Sequence, residues 1–196
     1  MINYPNGKKE YNKVVKNSPT ESKKEVYNAA NRGMDFEHAV NLSCSYYEDN
    51  GIALLYKRPT PIKILKTDYK HARITDAVFE KQSNTDYNGV YKGRYIDFEC
   101  KETLSKTSIP FHNIPVHQIK HLKKVILHGG IAFFLIYFKT LNEVYLVDSS
   151  FVIDAYEKKE RSSISYSVIK EKGHIVNENY MPRLDFIKVV DEVYFK

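Results

Sequence analysis

Apolar and small positions recur at steps of three and four through residues 32–50, where Phe36, Ala39, Val40, Ser43 and Tyr47 line one side and Gly51 follows as a stop. Residues three and four apart share a helix face, so this spacing predicts a helix with one core-facing stripe. Residues 52–56 form a short apolar run that predicts a strand, and Pro59 and Pro61 end it because proline has no N–H for a sheet ladder. Residues 62–81 place two strand-like pieces, IKIL and ITDAVFE, on either side of the charged TDYKHAR, which predicts a projecting hairpin. A second hairpin over residues 90–101 turns at Lys92-Gly93. A helix is then predicted from Asn113, as its N-cap, through Pro115 in the first turn to His128, with Gly129-Gly130 ending it.

Residues 131–138 are continuously apolar and predict a central strand covered on both faces. A partner strand over 143–147 follows the turn Thr140-Leu141-Asn142, and helical segments are predicted near 151–160 and 167–172. The tail PRLDFIKVVDEVYF alternates loosely and fits helix or strand. The order of elements predicts an α/β domain, a mixed sheet flanked by helices.

A length of 196 residues suits one domain, and 42% apolar with 28% charged residues is the balance of a folding, water-soluble chain. The first 30 residues differ, being rich in Lys, Asn, Ser and Glu with few apolar anchors. They are expected to be a flexible basic arm, residues 1–30, ahead of a single domain over 31–196. No stretch is long and apolar enough to span a bilayer, and Cys44 and Cys100 are too few for a disulfide framework. A cytoplasmic protein with no membrane partner is therefore expected.

The net charge of +6 draws polyanions over about 8 to 10 Å at physiological salt. Six Lys or Arg residues and one Asp lie between Lys57 and Arg73. Lys57, Arg58, Lys63, Lys66, Lys70 and Arg73 suit a phosphate backbone, and equally suit a solvated edge hairpin studded with lysines against aggregation.

Chemistry concentrates in Asn84-Thr85-Asp86-Tyr87-Asn88-Gly89 and Tyr95-Ile96-Asp97-Phe98-Glu99-Cys100-Lys101. Strand alternation sets Tyr95, Asp97, Glu99 and Lys101 on one face and Ile96, Phe98 and Cys100 on the other. Asp86 opens the hairpin whose return strand carries Glu99, so the two carboxylates can meet despite their sequence separation. Two carboxylates are enough for Mg²⁺, which keeps several waters and takes further oxygens from phosphate. Lys101 beside them can offset charge that builds on a reacting phosphate. The alternative is a surface Glu–Lys cross-pair worth roughly 0 to 1 kcal/mol. Gln118 falls on the apolar stripe with Ile114, Leu122 and Val125, either near the carboxylates or as a hydrogen-bonded core amide. His117 and His121 stand four apart without the further ligands that a zinc site needs. Glu37 either approaches the acidic pair or favours its own helix N-terminus.

The chain resembles the RecU family. The resemblance is carried by Tyr4-Pro5-Asn6-Gly7, Arg32-Gly33-Met34, Lys57-Arg58-Pro59-Thr60-Pro61, Thr85-Asp86-Tyr87-Asn88-Gly89, Tyr95-Ile96-Asp97-Phe98-Glu99, Lys101-Glu102-Thr103, His117-Gln118 and Pro182-Arg183-Leu184-Asp185. It implies a PD-(D/E)XK, restriction-endonuclease-like core, a basic β-hairpin stalk inserted at about residues 58–82, and a homodimer. It also implies Mg²⁺-dependent symmetric nicking of four-way junction DNA in recombination and repair, with Mn²⁺ able to substitute and room for a RecA-type recombinase partner. Carried over by position, Asp86, Glu99 and Gln118 would hold the metal and Lys101 would stabilise the transition state. Asn84, where the family usually has Thr, would supply a further oxygen. Arg32 joins Lys57, Arg58 and the hairpin cations as a candidate DNA contact. Two other readings share these motifs, a related endonuclease acting on duplex DNA and a junction-binding, recombinase-modulating protein without cleavage.

Overall fold

A computed structural model describes residues 35–80, 84–158 and 160–195. The basic arm expected over residues 1–30, and Arg32, lie outside these described residues. Helix α1 spans Phe36–Asp49, with Asp35 as its N-cap accepting from the His38 N–H at 3.1 Å. Strands β1 (Leu54–Lys57), β2 (Ile62–Asp68), β3 (Arg73–Phe79), β4 (Tyr87–Tyr91), β5 (Arg94–Thr103) and β6 (Ser108–Pro110) follow. After these come α2 (Val116–Leu127), β7 (Ile131–Phe138), β8 (Glu143–Asp148), α3 (Ser149–Lys158) and β9 (Ser163–Ser165). The described chain ends with α4 (Tyr166–Lys172), β10 (His174–Val176) and α5 (Phe186–Tyr194). Among the described residues no helix is long and apolar enough to cross a membrane.

Six strands form the main sheet in the order β1-β4-β5-β7-β8-β10. The β5–β7 pair is parallel and its other neighbours pair antiparallel, so the sheet is mixed. The expectation of an α/β domain with a mixed sheet flanked by helices is met. Every residue of β7 is buried, and alternation divides its side chains between two cores. Ile131, Phe133, Leu135 and Tyr137 join the α1 and α5 side, where Phe36, Val40, Tyr47, Phe186 and Val190 pack. Ala132, Phe134, Ile136 and Phe138 join the α2, α3 and α4 side, with Leu122, Val152 and Ile169. A sheet clad on both faces needs such all-apolar strands.

In β5, Ile96 and Phe98 enter the first core, and the Phe98 ring stacks on Tyr87 at 4.9 Å and on Phe133 at 4.8 Å. The opposite face of β5 carries Asp97 and Glu99, and these too are buried. Helix α2 covers that face with Gln118, Ile119 and Leu122. The acidic face of β5 is therefore an interior polar layer, and the surface cross-pair alternative for Glu99 and Lys101 is set aside.

Three sequence expectations shift. The helix predicted from Asn113 begins at Val116 with Pro115 as N-cap, because Phe111–Asn113 forms a separate 3-10 turn. The ambiguous tail is helical, with Phe186, Ile187, Val189 and Val190 giving one apolar stripe. The strand predicted at 52–56 lies slightly later, at Leu54–Lys57, on the edge of the sheet.

Among the described residues, strands β2 and β3 pair only with each other and not with the main sheet. Both faces of this hairpin are largely exposed. Its turn is tied by Asp68, which accepts from the backbone N–H of Lys70 at 3.0 Å and faces the His71 ring at 2.7 Å.

Gly89 lies where β1 crosses β4 closely. A β-carbon there would sit 1.9 Å from the Leu54 carbonyl oxygen, so the backbone of β1 would have to move. Gly89→Ala is expected to lower stability by about 1 to 3 kcal/mol, the usual range for overpacking. Chemical denaturation would check this, and an unchanged midpoint would show that β1 yields freely.

Candidate active site

The register of β4 on β5 pairs Tyr87 with Phe98, which sets Asp86, one residue before β4, beside Glu99. The Asp86 backbone N–H donates to Glu99 Oε2 at 3.1 Å, and Asp86 Oδ2 accepts from the Cys100 N–H at 3.1 Å. The two carboxyl groups thus share one end of the β4–β5 ladder, as the sequence spacing predicts. Glu99 is 1% exposed. Its Oε1 accepts from Gln118 Nε2 at 2.7 Å and lies 2.7 Å from Lys101 Nζ. Burial pushes the Glu99 carboxyl up to about 7, and neighbouring Asp86 adds to the rise, while Lys101 and Gln118 oppose it. A carboxyl under that pressure favours any arrangement that brings positive charge close.

Gln118 enters from the buried stripe of α2 and lies beside Glu99, hydrogen-bonded to it as a buried amide. Its Nε2 is engaged by Glu99, whereas Oε1 is buried and, among the described residues, accepts no hydrogen bond. A buried acceptor without a donor costs about 1 to 3 kcal/mol, a penalty that a cation beside Glu99 would relieve. Among the described residues no three His, Cys, Asp or Glu side chains form a metal cluster. A cation here would take two carboxylates and an amide oxygen, a hard-oxygen set that fits Mg²⁺-type ions better than zinc. The residues present fit such an ion.

The other candidates divide. Asn84 is half-buried on the segment leading into Asp86, and among the described residues no hydrogen bond joins its side chain to Asp86, Glu99 or Gln118. A cavity of about 290 Å³ adjoins Asp86 and is lined by Asp35, Glu37, Lys57, Cys100 and Glu102. Glu37 shares that cavity with Asp86 and pairs with Lys57. Lys63, Lys66, Lys70 and Arg73 are exposed on the β2–β3 hairpin, and among the described residues none of the four makes an ion pair. Arg58 departs from the stripe it was grouped with. Its guanidinium folds back to Asp97 Oδ2 at 2.7 Å and its side chain is only 22% exposed.

Two residues that sequence reasoning left out of the site belong to its surroundings. Asp97 is fully buried two residues before Glu99 on the same strand face. His121 lies one turn beyond Gln118 on α2, and its Nε2 is 2.8 Å from Asp97 Oδ2. The signal was present in their spacing, i, i+2 on the strand and i, i+3 on the helix.

Comparison with known proteins gives the family. A family model described as RecU, Recombination protein U, matches residues 31–192. Proteins named Holliday junction resolvase RecU from Bacillus cytotoxicus, Geobacillus kaustophilus and Bacillus anthracis are each 46% identical over 99% of this chain and 98% of the relative. With the model match spanning most of its length and such relatives aligned nearly end to end, this chain belongs to the RecU family.

Proposed function

We propose that this chain is a metal-dependent endonuclease that resolves Holliday junctions by paired, symmetric nicks, on a restriction-endonuclease-like core. The observation that carries the reading is the meeting of Asp86 and Glu99 beside Lys101 and the unpaired Gln118 Oε1. The name shared by its relatives, Holliday junction resolvase RecU, points to the four-way substrate.

Asp86, Glu99 and Gln118 would hold the ion, with Asn84 as a further oxygen donor. When bound, a Mg²⁺-type cation supplies polarisation of the scissile phosphate and a more acidic attacking water. Lys101 holds its ammonium at Glu99 Oε1, where it offsets negative charge gathering on the phosphate. Burial of Glu99 under α2 keeps these groups in a poorly screened environment, which strengthens each electrostatic contact.

The β2–β3 hairpin would act as the stalk that meets DNA. Its exposed cations carry the electrostatics, and Ile62, Ile64, Leu65, Ile74 and Phe79 leave apolar surface bare along it. Such surface on a soluble protein suits a partner. A homodimer is the fitting assembly, because two equivalent strands must be cut. Replacing Lys63, Lys66 and Lys70 together by Ala is expected to weaken junction binding and to reduce the slope of log affinity against log salt by about 1 per lysine. A slope equal to that of the parent would remove the hairpin from the DNA interface.

The testing experiment is incubation of the chain with a synthetic four-way junction and with linear duplex of the same arms, with and without Mg²⁺. Paired nicks in the junction alone, only with the ion, are expected. Cutting of both substrates would make it a duplex endonuclease. Binding of the junction without cutting at any Mg²⁺ concentration would make it a non-catalytic junction protein.

A further inference from the structure

Asp97 has no solvent-exposed surface, yet four side chains converge on its carboxyl group. Oδ1 accepts from the Thr85 hydroxyl. Oδ2 faces Arg58 Nη2 at 2.7 Å, His121 Nε2 at 2.8 Å and the Tyr95 hydroxyl at 2.9 Å. A carboxylate offers about four acceptor sites, and four donors are present. Oδ2 is thus fully engaged by protein donors, on the face of β5 that carries Glu99.

Three of the four donors come from other segments, and each segment also carries or touches a group of the metal site. Thr85 directly precedes Asp86. Arg58 donates its backbone N–H to the Asp86 carbonyl oxygen at 2.7 Å, so its two ends grip Asp86 and Asp97 at once. His121 sits on α2 one turn from Gln118. Arg58 is followed by Pro59-Thr60-Pro61 and then by β2, a connection stiffened by its fixed proline φ angles.

From this arrangement we propose that Asp97 is a positioning residue, a buried acceptor that locks Asp86 and Gln118 in place against Glu99 and clamps the root of the β2–β3 hairpin to the same point. Arg58 and His121 are its two principal arms. Without the carboxylate charge, both would face one another across a neutral group, and the segments bearing Asp86 and Gln118 would lose their shared anchor. Arg58 acts here through Asp97 and not as a phosphate contact of the exposed stripe.

The inference rests on the metal-site reading, and the test separates the two. Binding of Mn²⁺ alone to the full chain without DNA is measured by calorimetry for the parent, Asp97→Asn, His121→Ala and His121→Gln. Thermal melts confirm folding, and junction binding is measured without metal. Partners one shell out from a metal typically carry 10- to 100-fold in affinity. Asp97→Asn is therefore expected to weaken Mn²⁺ binding by about that factor, and to weaken metal-free junction binding several-fold through the loosened hairpin root. His121→Ala is expected to weaken Mn²⁺ binding about tenfold. His121→Gln, whose amide N–H can reach the same oxygen, is expected to restore most of the loss. Should Asp97→Asn fail to fold, the His121 pair decides alone. Parent-like Mn²⁺ affinity in folded His121→Ala or Asp97→Asn overturns the proposal while leaving the metal site standing. A parent chain that binds no Mn²⁺ overturns both.

Discussion

Asp86→Ala and Glu99→Ala are each expected to cut junction cleavage by more than about 10³-fold while junction binding survives within a few fold. With Asp86 and Glu99 as the two carboxylates that would hold the divalent ion, either substitution halves the charge they bring to it, and rate terms that depend on that ion disappear together. The two variants should differ in their side effects. Glu99 is the common acceptor of Lys101 and Gln118, so Glu99→Ala also strands a partly buried ammonium and a buried amide. Asp86→Ala loses mainly the bond from the Cys100 N–H. Asp86→Ala is the cleaner probe of the ion, and Glu99→Ala should show the larger fall in melting temperature. Single-turnover cleavage and a gel-shift titration measure the two quantities. Near-native cutting by either variant with Mg²⁺ would remove that residue from the site.

Lys101→Met is expected to lower the cleavage rate about 10²- to 10³-fold, the usual cost of losing one preorganised electrostatic contact to the transition state. Methionine preserves most of the side-chain volume, so the comparison isolates the charge. The Lys101 side chain is 17% exposed and its Nζ is 2.7 Å from Glu99 Oε1. The ammonium therefore has two available roles, compensating Glu99 at rest and meeting the phosphate during reaction. Rate measured across Mg²⁺ concentration distinguishes them. A loss that persists at saturating Mg²⁺ assigns Lys101 to the reaction, whereas a loss that Mg²⁺ fully restores assigns it to charge compensation alone.

Much of this arrangement was legible in local pattern. The apolar run at 131–138 predicted a central strand covered on both faces, and alternation correctly divided β5 between an apolar and a polar face. Hairpin counting brought Asp86 to Glu99. What escaped were features decided by distant segments. Alternation cannot say whether the polar face of β5 meets water or a helix, and here α2 covers it with Gln118, His121 and Leu122. Arg58 looked like one more cation in a basic stripe because its partner, Asp97, lies 39 residues away. The start of α2 slipped because Asn113, a good cap by type, was taken into a 3-10 turn. The tail was ambiguous until tertiary packing selected the helical stripe over a strand.

The central claim is that one divalent ion binds among Asp86, Glu99 and Gln118, with Lys101 alongside. Anomalous scattering from crystals of the chain grown with Mn²⁺ tests it most directly. The predicted result is a peak within bonding distance of oxygens from both Asp86 and Glu99, on the side of Gln118 Oε1. A fully occupied Mn²⁺ peak elsewhere, with none between those two carboxylates, would contradict it.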